Sequence, residues 1–154
     1  LPTSSWKRQR RGGRGMKGAH AREDDFIEHL FIASTHNYML FFTNEGRCYW
    51  LKVHEIPEGG RSTRGRAIVN LIGCAPGEKV KAFVSIKDFN ETDYVVMATK
   101  NGLAKRTALS MYSKPRKGGI YAIEIREGDE LIEAKITNGE QDIILGTRRK
   151  INKI

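Results

Sequence analysis

From Tyr38 onward the chain alternates short apolar runs with polar breaks. Tyr38-Met39-Leu40-Phe41-Phe42-Thr43 is one run, Asn44-Glu45-Gly46 a break, and Arg47-Cys48-Tyr49-Trp50-Leu51-Lys52 the next run. Runs of this length rich in aromatic and β-branched residues predict strands, and a three-residue connection ending in Gly predicts a hairpin whose last loop residue is left-handed. Just upstream, Leu30-Phe31-Ile32-Ala33-Ser34 predicts a further strand and His36-Asn37 a turn. The phrase recurs 56 residues later, where Tyr94-Val95-Val96-Met97-Ala98-Thr99 leads through Lys100-Asn101-Gly102 to Leu103-Ala104-Lys105-Arg106-Thr107. The correspondence continues. Arg64-Gly65-Arg66-Ala67-Ile68-Val69-Asn70-Leu71 parallels Lys117-Gly118-Gly119-Ile120-Tyr121-Ala122-Ile123-Glu124, and Gly77-Glu78-Lys79-Val80 parallels Gly128-Asp129-Glu130-Leu131. A third copy starts at Asp142-Ile143-Ile144-Leu145-Gly146-Thr147, without the Gly expected three residues after Thr147.

A recurring unit of about 50 residues with about four strands predicts the blade of a propeller. The alternative is one β-sandwich containing two similar hairpins. The expected fold class is all-β, a β-pinwheel or propeller-like repeat of four-stranded antiparallel blades. The expected organisation is a basic lead-in over 1–29, a first blade over 30–86, a second over 94–137 and the start of a third over 142–154. Closed propellers use about four blades or more, so two and a fraction cannot close a ring. The chain therefore reads as part of something longer, or as one whose open blade edges support self-association.

Charge sharpens this picture. The 154 residues carry 27 Lys and Arg against 18 Asp and Glu, a formal charge of +9. Seven basic residues (Lys7, Arg8, Arg10, Arg11, Arg14, Lys17 and Arg22) precede the first acid, Glu23; without them the balance is 20 against 18. A run of like charge repels itself and stays in solvent. Within it, Gln9-Arg10-Arg11-Gly12-Gly13-Arg14-Gly15 interleaves Arg with Gly. Arginine forks match phosphate oxygens, and glycine lets the backbone turn its N–H groups toward an anion. That chemistry suits a polyanion backbone and offers no element for reading bases. Arg61, Arg64 and Arg66 in the first repeat, Lys114, Arg116 and Lys117 in the second, and Arg148 and Arg149 in the third put basic residues in a loop of each copy. Similar orientation of successive blades would array them as a basic belt, with Lys17, Lys105 and Arg106 as further candidate contacts.

Other chemistries find little support. Gly13 to Gly18 fits G-x-G-x-x-G, but Trp6-Lys7-Arg8-Gln9-Arg10-Arg11 is no buried strand to precede a nucleotide-binding turn. His20, His29, His36 and His54 are scattered, and Cys48 and Cys74 lack metal-ligand spacing, so both cysteines read as small hydrophobes. Glu23, Asp24 and Asp25 read as a turn or helix start. No nucleophile stands out. No apolar stretch is long enough for a membrane helix, and no signal-peptide core precedes Trp6, so the expectation is a soluble, cytoplasmic protein with no membrane partner. Arg11-Gly12-Gly13 also fits the RGG tracts of RNA-binding tails, leaving an RNA-binding β protein as an alternative.

The segment from Gln9 to Gly15 resembles the gyrase box, Q-R-R-G-G-[KR]-G, of the DNA gyrase A C-terminal domain family. Glu23-Asp24-Asp25-Phe26-Ile27, Ala33-Ser34-Thr35-His36-Asn37, Arg64 to Leu71 and Met97 to Gly102 also resemble that family, over about residues 7 to 147. The resemblance implies a bacterial β-pinwheel whose basic rim wraps duplex DNA, with the box on the first blade. It implies that wrapping supports ATP-dependent negative supercoiling by a type IIA topoisomerase assembled with the rest of gyrase A and with gyrase B. On that reading this chain has no catalytic residue, metal or cofactor of its own; ATP and Mg act on other domains. The C-terminal domain of topoisomerase IV is the related alternative, and an intact box favours gyrase.

Overall fold

The computed structural model describes residues 1–15, 32–59, 67–146 and 151–153. In chain order it contains β1 (Tyr38–Thr43), β2 (Arg47–Lys52), α1 (Ile68–Ile72), β3 (Val80–Ile86), β4 (Tyr94–Thr99), β5 (Ala104–Ala108), β6 (Ile120–Tyr121), β7 (Leu131–Thr137), β8 (Ile144–Gly146) and β9 (Ile151–Lys153). Both expected hairpins form. β1 pairs with β2 and β4 with β5, antiparallel, and the connecting Gly46 and Gly102 have φ of +78° and +88°. The start of the third copy forms the hairpin β8–β9.

The two repeats match in detail. β1 lies between β2 and β3, and β4 lies between β5 and β7. The register shifts at Thr43 on one and at Thr99 on the other, placing the same bulge at the same step. Each threonine is buried and accepts a backbone N–H across its hairpin turn, from Arg47 at 3.3 Å and from Leu103 at 3.1 Å. The Thr43 hydroxyl also reaches Glu78 Oε1 at 3.4 Å, and the Thr99 hydroxyl lies near Asp129, the equivalent acid. Burial raises the pKa of Asp129. The Thr99 hydroxyl, the N–H groups of Asn101 and Glu130 and the charge of Arg126 outweigh that and hold it below its ordinary value. A carboxyl so depressed contributes stability that is present above about pH 4 and is lost as pH falls through its folded value. Asp129→Asn is therefore expected to be less stable than the parent at pH 7. The gap should close as pH falls below about 4, as melting temperatures measured against pH would record.

The repeats part where sheets meet. The first sheet has four strands in the order β3-β1-β2-β6, and β6 belongs to the second sequence repeat. It pairs antiparallel with β2, Arg47 opposite Tyr121 and Cys48 opposite Ile120. The second sheet holds β5-β4-β7, and the outer edge of β5 has no strand partner among the described residues. The sequence parallel of β6 in the first repeat is not a strand: Ile68–Ile72 is α1, closed by Gly73 at φ +64°. This helix covers one face of the first sheet, where Met39, Phe41, Tyr49, Leu51 and Ile72 form a buried cluster. The other face, with Leu40, Phe42 and Cys48, packs against Val95, Met97, Leu109, Tyr112 and Leu131 of the second unit in one continuous core.

The described residues of one expected strand do not form it. Ile32–Ser34, the described part of Leu30–Ser34, is irregular, and Leu30 and Phe31 lie outside the described residues. Ser34 instead opens a turn, its carbonyl accepting the N–H of Asn37 at 2.9 Å. β1 is already paired on both edges, so the preceding segment has no free edge of β1 to join. Cys48 is fully buried as expected, and burial pushes its thiol pKa up, whereas Cys74 is only half-buried; both are free thiols. No helix among the described residues is long and apolar enough to cross a membrane.

Candidate nucleic-acid interface

The basic positions fall in two described groups. In the first, Gln9 to Gly15 is exposed throughout and turns once, the Gly13 N–H donating to the Arg10 carbonyl at 3.0 Å. Gly12, at φ +77°, is in the left-handed region that L side chains disfavour. At Gly13 a Cβ would come within 3.0 Å of Gln9 Oε1 and 3.1 Å of the Arg10 carbonyl. These glycines are where the backbone bends, and Arg10, Arg11 and Arg14 are exposed around the bend.

The second group is the loop between Tyr112 and β6. Lys114, Arg116 and Lys117 are all exposed, on a turn closed by the Gly119 N–H and the Arg116 carbonyl at 2.9 Å. Among the described residues no carboxylate forms an ion pair with any of these three, or with Arg10, Arg11 or Arg14. A surface cation without an acidic neighbour keeps its full field for an external anion.

The expected contacts on β5 differ. The Lys105 ammonium donates to the Ala122 carbonyl at 2.8 Å, which ties it to the adjacent chain segment. Arg106 stacks over the Tyr94 ring at 4.6 Å and remains exposed. Lys17, Arg61, Arg64, Arg66, Arg148 and Arg149 lie outside the described residues, as do Glu23 to Ile27, His20 and His29.

Beneath the second group lies a polar cluster that the repeat pattern does not reveal. Glu78 is buried. Its Oε2 accepts the Tyr49 hydroxyl at 2.7 Å and the Ala75 N–H at 2.9 Å, while Arg47 Nε stands 3.9 Å from Oε1. The guanidinium of Arg47 lies 5.7 Å from the Tyr49 ring and 5.2 Å from the Tyr121 ring, and its Nη2 donates to the Gly118 carbonyl at 2.6 Å. Burial, reinforced by the hydrogen bond to Glu78, pushes the Tyr49 phenol up to about 12. The second repeat has Leu103 and Lys105 where the first has Arg47 and Tyr49. That mismatch between otherwise aligned hairpins is the signal in the sequence that could have singled out this cluster.

The same chain has close counterparts among known proteins. Residues 7–34, 37–73 and 93–138 match the family described as DNA gyrase C-terminal domain, beta-propeller. The DNA gyrase A protein of Clostridium acetobutylicum is 48% identical over 149 residues, 97% of this chain and 18% of that protein. The DNA gyrase A protein of Neisseria gonorrhoeae is 48% identical over 144 residues, 94% of this chain and 16% of that one. The chain thus spans less than a fifth of these relatives' length. Among solved structures, the C-terminal domain of DNA topoisomerase IV superposes with a TM-score of 0.65 at 28% identity, covering 71% of this chain and 34% of that one. A DNA gyrase A C-terminal domain superposes with a TM-score of 0.69 at 24% identity, covering 94% and 45%, a likeness of fold.

Proposed function

The chain belongs to the DNA gyrase A C-terminal β-propeller domain family, and from that premise we propose that it binds duplex DNA through its exposed cations and bends it around successive blades. One observation carries the reading. Arg10, Arg11 and Arg14 at a glycine turn, and Lys114, Arg116 and Lys117 at a blade loop, are solvent-exposed with no carboxylate partner among the described residues. Such groups neutralise phosphates without reading bases. In the full-length protein this module would hold a DNA segment against the breakage and reunion machinery. It would thereby support negative supercoiling by an assembly with gyrase B, where ATP and Mg act. Arg61, Arg64, Arg66, Lys17, Arg106, Arg148 and Arg149 extend the same rim in this proposal, and Lys105 joins it only by leaving the Ala122 carbonyl.

Affinity should follow counterion release. With about six phosphates neutralised, log K should fall against log salt with a slope near about −5. Arg10→Ala, Arg11→Ala and Arg14→Ala together are expected to make that slope shallower by about 2.7 and to weaken binding about tenfold or more on unrelated duplexes alike. Fluorescence anisotropy across a salt series provides the measurement. A loss confined to one sequence would mean base readout, and a preference for single-stranded RNA in competition would mean an RNA-binding arm. Whether the full enzyme supercoils, or only relaxes and unlinks, separates a gyrase from a topoisomerase IV role.

A further inference from the structure

The basic loop of the second unit is tethered at both ends by side chains of the first. The Trp50 indole N–H, on β2, donates to the Tyr112 carbonyl at 2.8 Å, just before the loop. Arg47, at the start of the same strand, donates to the Gly118 carbonyl at 2.6 Å, just after it. Between these anchors stand Lys114, Arg116 and Lys117. The exit of the loop is also packed tightly, since a Cβ on Gly119 would meet the Cys48 carbonyl and the Tyr49 ring at 2.9 Å each. Arg47 itself is held from below by Glu78 and between two tyrosine rings.

We propose that Trp50 and Arg47 are positioning residues that hold the 113–118 loop in a phosphate-binding shape, so that the first blade sets the DNA affinity of the second. The proposal rests on the DNA-binding reading above. Its physical basis is preorganisation: cations on a free loop must be ordered when they bind, and that entropy is subtracted from affinity, whereas a loop fixed at both ends has already lost it. Among the described residues, the second repeat does not repeat this arrangement. At the positions equivalent to Trp50 and Arg47, the second repeat has Arg106, stacked on Tyr94, and Leu103, an aliphatic side chain. The aliphatic Leu103 has no donor with which to tether a loop.

Trp50→Phe removes the tethering N–H while keeping a ring in the core and leaving the charge unchanged; Arg47→Leu installs the residue of the second repeat. In the whole chain, Trp50→Phe is expected to weaken binding to a mixed-sequence duplex by about 2- to 10-fold, the range of one ordinary hydrogen bond. It should also make the salt slope shallower without removing a cation. On a background of Lys114→Ala, Arg116→Ala and Lys117→Ala, where the slope has already fallen by about 2.7, Trp50→Phe should change nothing further. Equal effects in both backgrounds would overturn the proposal. Hydrogen exchange of the Gly119 amide without DNA is a separate arm. It should quicken at least about tenfold in Trp50→Phe/Arg47→Leu while the amides of β1 stay protected. Unchanged exchange at Gly119 sinks the tether even if DNA binds. Loss of salt-dependent binding by the parent chain, with Gly119 exchange still responding, sinks the DNA reading and leaves the tether standing. Should the double variant lose protection in β1 as well, Trp50→Phe alone decides.

Discussion

Gly46→Ala is expected to lose about 2–5 kcal/mol of stability, a fall in melting temperature of about 5–15 °C for a chain of this size. Two independent costs combine. Gly46 has φ +78°, where a Cβ is strained, and that Cβ would stand 2.2 Å from the Ile123 carbonyl oxygen and 2.9 Å from Ile125 Cγ1. The obstacle is backbone, so it cannot turn aside as a side-chain tip could. Moving it would also break the bonds by which the Gly46 carbonyl accepts the N–H groups of Ala122 at 2.8 Å and Ile123 at 3.2 Å. Gly102 supplies the control. It occupies the same turn position with φ +88°, but nothing stands within 4 Å of its virtual Cβ. Gly102→Ala should therefore cost only the backbone strain, about 1–2 kcal/mol. Thermal melts of the two variants side by side read the difference. Equal losses would show that the segment after β6 does not press on the first hairpin.

The second large effect is expected at Glu78. Its carboxylate satisfies the Tyr49 hydroxyl, the Ala75 N–H and the Thr43 hydroxyl, and it faces Arg47. Glu78→Ala leaves these groups without an acceptor and Arg47 without its counter-charge, and removing one partner of a buried pair costs about 3–5 kcal/mol, the loss expected in denaturant titrations. Glu78→Gln keeps the shape and should cost less, and it carries a sharper readout. Burial and Glu78 together hold the Tyr49 phenol up at about 12. Without the carboxylate's hydrogen bond and charge, its ultraviolet titration should move down toward the ordinary value near about 10, while burial keeps it from arriving there. A phenol raised in the folded state contributes stability that is complete below about pH 10 and disappears as pH rises through its folded value. The parent chain should therefore lose stability between about pH 10 and about pH 12, and the Gln variant should lose less over that interval. An identical Tyr49 titration in both proteins would refute the coupling.

What the sequence disclosed was local or periodic. The strands Tyr38–Thr43 and Arg47–Lys52, their left-handed Gly46 and the recurrence at Tyr94–Thr99 are written into neighbouring residues, and the pattern suffices to find them. The Arg–Gly turn was equally visible because its glycines stand beside its cations. The exchange of β6 was not visible. Nothing near Ile120 says that its partner is Cys48, 72 residues earlier, and not a strand of its own repeat. Ile68–Ile72 and its aligned counterpart at Tyr121 diverge for a similar reason: one covers an apolar face as a helix, and the other runs on from β6 along the first hairpin. Lys105 illustrates the limit for charge. Its residue type suggests a phosphate contact, but the Ala122 carbonyl claims it, and only three-dimensional placement reveals that competition.

The borrowed position of β6 has a mechanical consequence. Since the outer strand of one sheet is spun from the sequence of the next, no cut between repeats releases an intact half. Excising the second repeat would strip the first of its border, with Trp50 and Arg47 facing water. Load applied at one blade must therefore travel to its neighbour through peptide hydrogen bonds before either can open. Two sheets joined this way resist being peeled apart module by module, as a zip resists parting from its middle.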